Sequence, residues 1–143
     1  MKRKIILEII CGLLIFLFTY TAITKLIEYN NFESQLNIFP GLRFLRNVLP
    51  WALPIMEFFI VVCLLLPSYR VKGLFVSAIL LCVFTIYLLC MTILYEHLPC
   101  TCGGVLEYMT WKQHIAFNSF FVILSVTGLV LAKKEKELNL LLQ

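Results

Sequence analysis

The chain of 143 residues is 62% hydrophobic and 14% charged, with a net charge of +4 and a mean hydropathy of +0.95. Too little polar surface is available to cover a soluble globule of this size, which excludes a soluble fold and makes this a membrane protein. The positive charge falls in short clusters between apolar runs, so it is a topology signal rather than a nucleic-acid patch.

Four apolar runs follow one another, each close to the ~20 residues a helix needs to cross a bilayer core. The first, Ile5–Ile23, has one charge, Glu8, near its edge, and the second, Val48–Leu66, has one internal charge, Glu57. The third, Gly73–Tyr95, and the fourth, Ile115–Ala132, have none. In hydrocarbon every backbone donor and acceptor must be satisfied within the protein, and the two-residue alternation of a membrane barrel is absent. The expectation is an all-α transmembrane bundle of four helices in a single domain, with spans near 5–25, 48–66, 73–95 and 112–132.

The segments between the runs add to this. Glu28 to Asn47 interleaves Phe32, Leu36, Phe39, Leu42, Phe44 and Leu45 with polar residues around a Pro40-Gly41 break, the pattern of an interfacial segment roofing the bundle. Lys133 to Gln143 is a charged stop followed by a leucine-rich tail in which no chemistry is legible. Lys2, Arg3, Lys4, Arg70, Lys72, Lys133, Lys134 and Lys136 fall on one side of the four spans, against Lys25, Arg43, Arg46 and Lys112 on the other. Basic residues stay cytoplasmic, so both termini are expected inside and the loop from Glu96 to Gln113 outside. A cleaved leader is disfavoured, because Tyr20-Thr-Ala22 puts a ring where cleavage wants a small residue.

Of the six cysteines, Cys11, Cys63, Cys82 and Cys90 sit in apolar runs, where a thiol acts as a small hydrophobe. Cys90, near the outer end of the third run, is a remote third thiol. Cys100 and Cys102 differ, since the topology puts them on the oxidising side of the membrane. A Cys-x-Cys disulfide closes a small, strained ring, and strained exposed disulfides tend to be the labile or catalytic ones. Gly103 and Gly104 give the backbone freedom such a ring needs.

Thr110-Trp-Lys-Gln113 has the form of a capping box, which starts the fourth helix at Trp111. The helix N-terminus and Lys112 make a neighbourhood that favours thiolate. Trp111, His114 and Asn118 share a face at i, i+3 and i+7. Each taken alone reads as an interfacial or packing residue; beside Cys-x-Cys, His114 also suits a proton acceptor for a thiol. A rival reading groups His97, Cys100, Cys102 and His114 as ligands for zinc or, through the thiolates, cuprous copper, although His-x2-Cys-x-Cys-x11-His is not a standard zinc spacing.

Glu57 is an ionisable residue within a span, costly there and expected to face a partner or a cavity. Pro50 suits a first helical turn, whereas Pro54 lies deeper and frees a carbonyl. Lys25, at the outer end of the first run, is the natural partner of Glu57 if the two helices are neighbours. A bridge that fixes helix register is the preferred role, ahead of proton handling.

Thr21-Ala-Ile-Thr-Lys25-Leu26, Asn31-Phe-Glu-Ser-Gln-Leu36 and Leu53-Pro-Ile-Met-Glu57 together resemble the DoxX-like four-helix membrane proteins. Pro99-Cys-Thr-Cys-Gly-Gly104 and Trp111-Lys-Gln-His-Ile-Ala-Phe-Asn118 resemble, within that group, the methylamine utilisation protein MauE family. The likeness covers nearly the whole chain. It implies a redox-associated inner-membrane protein linked to maturation of methylamine dehydrogenase, with relatives that handle thiols or quinones. It puts Cys100 and Cys102 at the redox position, and Lys25 and Glu57 at the family's intramembrane polar positions. The reading reached from residues and resemblance is a thiol–disulfide oxidoreductase or accessory subunit, lying in the bilayer with an exported thiol or disulfide protein as partner and no nucleic acid. A quinone acceptor has no motif of its own here. The second reading is a metal-binding or scaffolding subunit, and a transporter is the least favoured class.

Overall fold

The structure, a computed structural model, describes residues 2–30, 47–94 and 110–141. Among them are four helices and no strand: α1 (Lys2–Ile27), α2 (Leu49–Leu65), α3 (Arg70–Leu94) and α4 (Trp111–Leu141). Three stretches, Arg3–Ile27, Arg70–Cys90 and Lys112–Leu138, are long and apolar enough to cross a membrane. The fourth helix, α2, is equally apolar but only 17 residues long, at the lower end of what spans a bilayer. The segment around Cys100 and Cys102 and most of the expected interfacial roof lie outside the described residues.

Each helix turns one stripe inward at the 3.6-residue period. In α2 the buried positions are Pro50, Pro54, Glu57, Ile60, Cys63 and Leu64, and in α1 they include Leu7, Ile10, Leu14, Leu17 and Phe18. The stripes of α3 and α4 run through Leu74, Ser77, Leu81 and Leu88, and through His114, Asn118, Phe121 and Ser125. The opposite faces stay apolar, with Phe16 73%, Ile93 78% and Ile123 66% exposed, as befits surfaces that meet lipid. Lipid gives helices no hydrophobic reason to associate, so close packing and polar contacts must hold the bundle.

Contacts run around a ring, α1 on α2, α2 on α3, α3 on α4 and α4 back on α1. A tight turn reverses the chain between α2 and α3, where Tyr69 N–H donates to Leu66 O at 3.0 Å and Gly73 N–H to Tyr69 O at 2.9 Å. A Cβ on Gly73 would lie 3.1 Å from the Leu64 backbone nitrogen, a tight contact that glycine avoids at this turn. This end of the bundle gathers the start of α1, the α2–α3 turn and the second half of α4. Arg70 forks onto Glu8 at 2.7 and 3.3 Å, and Lys4 lies 3.5 Å from Glu135. Gly128 lets α4 close on α1 and α3, for a Cβ there would fall 2.9 Å from Ile10 Cγ2 and 3.0 Å from Leu74 Cδ2.

α4 continues past Ala132 to Leu141, about two and a half turns beyond the apolar run. Hydropathy marks where a span ends, whereas Lys133-Lys-Glu-Lys-Glu137 is made of residues that propagate a helix well in water. The span and the helix are therefore different lengths.

Candidate functional site

At the opposite end, the inward stripes carry polar side chains. Glu57 occupies an inner position of α2 one turn after Pro54, whose missing N–H leaves the Pro50 carbonyl without its usual helical donor. The ion pair expected from sequence is present: Lys25 Nζ donates to Glu57 Oε1. The Thr21 hydroxyl, one turn before Lys25 on α1, lies 3.2 Å from the same oxygen and 3.2 Å from the Phe18 carbonyl. Both members of the pair are screened from solvent, with side chains 11% and 5% exposed. A charge pair at this depth survives by mutual compensation and added hydrogen bonds, and loses most of its worth if one partner is removed.

Two rings extend the cluster. Lys25 Nζ stands 5.9 Å from the centroid of Phe84 in α3, close enough for a cation–π attraction. Phe84 in turn packs against His114 with centroids 6.0 Å apart. His114 is 1% exposed, so its imidazole lies inside the bundle rather than on the rim.

The start of α4 fixes His114 and Asn118. Thr110 N–H donates to Gln113 Oε1 at 3.0 Å, and Gln113 N–H donates back to Thr110 Oγ1 at 3.4 Å, the reciprocal pair of a capping box. His114 N–H closes the first turn onto Thr110 O at 2.9 Å. With the helix phase pinned at Thr110, residues 114 and 118 both point inward and line one cavity with Lys25 and Glu57.

That cavity measures about 50 Å³. Thr21, Lys25, Glu57, His114 and Asn118 form its polar wall, and Phe18, Phe84 and Phe117 with Leu17, Leu53, Leu80 and Leu81 form the rest. Glu57 Oε2 and Asn118 Nδ2 are buried and have no hydrogen-bond partner among the described residues. Sequence alone points to Lys25, Glu57, His114 and Asn118 but not to Thr21 or Phe84. Thr21 carries a usable signal, its i, i+4 relation to Lys25 on α1; Phe84 has none, being one of many aromatics in an apolar run.

The remaining expected site residues divide by position. Cys100, Cys102 and His97 lie outside the described residues, and so does the side chain of Trp111. Among the described residues no three His, Cys, Asp or Glu side chains gather in metal-binding range. Cys11 and Cys63 are buried in the closed end, while Cys90 is exposed on α3.

Compared with known proteins, residues 3–131 match the family model described as methylamine utilisation protein MauE. No curated protein and no solved structure matches the chain.

Proposed function

This chain belongs to the methylamine utilisation protein MauE family, and from that membership we propose that it is the thiol–disulfide component of a membrane redox step. It is a methylamine-utilisation-associated membrane protein. In the proposed step Cys100 and Cys102 alternate between dithiol and disulfide. Forming the S–S bond releases two electrons and two protons, and exchange with an exported protein proceeds by thiolate attack through a mixed disulfide. The observation that carries the reading is Cys-x-Cys-Gly-Gly in the segment leading to the capped start of α4. His114, set four residues into that helix, is the proton acceptor of the scheme. The Lys25 and Glu57 pair organises the bundle beneath it, and the same pattern underlies the wider DoxX-like placement.

Topology supports an outward cysteine segment. The start of α1, the α2–α3 turn and the end of α4 lie together, so Lys4, Arg70, Lys72 and Lys133 share one end, which the basic-residue rule assigns to the cytoplasm. The bacterial inner membrane is the compartment we propose, from the family membership rather than from the geometry. Electrons leaving the pair pass to an acceptor in the membrane, for which a lipid quinone is the natural class. A quinone would engage the lipid face, because a benzene-sized ring needs about 150 Å³ and the cavity offers about 50 Å³.

The test is to label intact cells with a membrane-impermeant maleimide before and after reduction, and to follow disulfides in exported proteins with Cys100→Ser and Cys102→Ser. Label on both cysteines only after reduction, with lost exported disulfides in each variant, is the expected result. Unchanged exported disulfides in both variants would sink the reading. Metal co-purifying with the wild type and lost in those variants would replace it with the metal-binding one.

A further inference from the structure

The two carboxylate oxygens of Glu57 have different surroundings. Oε1 accepts from Lys25 and Thr21, whereas Oε2 accepts from nothing among the described residues. Across the cavity, on a helix two places away in the ring, the donor Asn118 Nδ2 is equally unmatched. Glu57 and Asn118 are 4% and 5% exposed, so neither atom finds its partner outside the bundle. Buried polar atoms of this kind call for water or a ligand.

Size and chemistry decide which. A water needs roughly 10–15 Å³ and two to four polar partners, so a cavity of about 50 Å³ takes on the order of three waters. The polar wall is directional as well. A water held by the Asn118 amide through its oxygen turns its hydrogens away, toward an acceptor, and Glu57 Oε2 is the acceptor left over.

We propose that this cavity is hydrated and makes Glu57 Oε2 a proton-exchanging site inside the bundle. A hydronium entering the cavity gives its proton to Oε2, leaving water and a neutral carboxylic acid; Lys25 keeps its ammonium and still donates to Oε1. The reverse step returns the carboxylate and the ion pair. The groups facing Glu57 are Lys25 and Thr21 from α1, His114 and Asn118 from α4, and the uncharged Leu80, Leu81 and Phe84 from α3. Among the described residues Lys25 is the charged group paired with Glu57, and His114 and Asn118 are the polar groups across the cavity from it. The site does not depend on cysteine chemistry, so the two proposals stand or fall separately.

Infrared difference spectroscopy of the full-length protein in lipid nanodiscs, titrated in H2O and D2O, tests it. The chain contains no aspartate, so every side-chain carboxylic-acid C=O band belongs to glutamate. The other seven glutamates contribute to the same region, so the expected result is a D2O-shifted component that grows as pH falls in the wild type and is missing from Glu57→Gln. Asn118→Leu leaves the ion pair intact but removes the donor that orients the water, so it should move the midpoint of that band about one pH unit upward, a tenfold change in proton affinity. Asn118→Leu also keeps the test open if Glu57→Gln does not fold. A band unmoved by Asn118→Leu overturns the proposal, as does no glutamate band of this kind over the pH range in which the wild type keeps its helical signal. Repeating the titration with Cys100→Ser and Cys102→Ser combined should give the same curve.

Discussion

The two ends of this bundle are built on opposite principles. At the closed end, around Ile10, Leu74 and Gly128, helices approach until a single methyl group has no room, and the Ser77 hydroxyl faces that of Ser125 at 3.5 Å across α3 and α4. At the cavity end the same four helices hold a charged pair, an imidazole, an amide and about 50 Å³ of space. Small residues bring helices together in lipid, whereas buried polar groups specify which helices meet and leave a place for chemistry. One end supplies the rigidity that the other spends on function.

The sharpest way to break this contrast is at the ion pair. Glu57→Ala leaves a buried ammonium without its counter-ion, and a loss of about 3–5 kcal/mol is expected, read as a lower midpoint of thermal unfolding in detergent. Combining it with Lys25→Met should recover much of that loss, since the stranded charge is then gone; a double variant as unstable as Glu57→Ala would mean that packing, not charge, holds this end. Next in size is Gly128→Leu at the closed end, where overpacking against Ile10 and Leu74 should cost about 1–3 kcal/mol. An unchanged midpoint there would show the close approach to be soft.

Thr110→Ala removes one half of the capping box and should cost about 1 kcal/mol, with faster amide exchange confined to the first turn of α4. The smallest effect concerns space alone. Gly12 lies on the exposed face of α1, and a methyl placed on it would meet nothing within 4 Å, so Gly12→Ala should stabilise by about 0.5–1 kcal/mol. If Gly12→Ala and Gly128→Ala behave alike, room at the helix crossing is not what selects glycine at 128.

Much of this arrangement is legible in one dimension. Hydropathy locates four helices, the isolated charges Lys25 and Glu57 have few partners but each other, and Thr110-Trp-Lys-Gln113 announces its own cap. These signals are local, or rest on the cost of an unpaired charge in an apolar run. The cavity is not legible, because it depends on how four inward stripes align around a ring, and the sequence says nothing direct about Phe84 reaching both Lys25 and His114. Gly128 is equally silent: along the chain it looks like any glycine in an apolar run, and only the crossing of α4 with α1 and α3 gives it a role. The end of α4 escapes for a different reason, since the apolar run stops at Ala132 while helix propensity continues.

The short second helix has a consequence for the bilayer itself. Seventeen residues rise about 26 Å, less than the hydrocarbon thickness of about 30 Å, with Trp51 on the first turn and Tyr69 just past the last, 56% and 49% exposed. Aromatic anchors of this sort sit at headgroup level, so where α2 crosses the bilayer the lipid along it is expected to be thinner than along the 26-residue α1 on its flank. Such a mismatch on one flank would bring the headgroup layer nearer to the helix that carries Glu57 and would make membrane thickness a variable to which this protein responds.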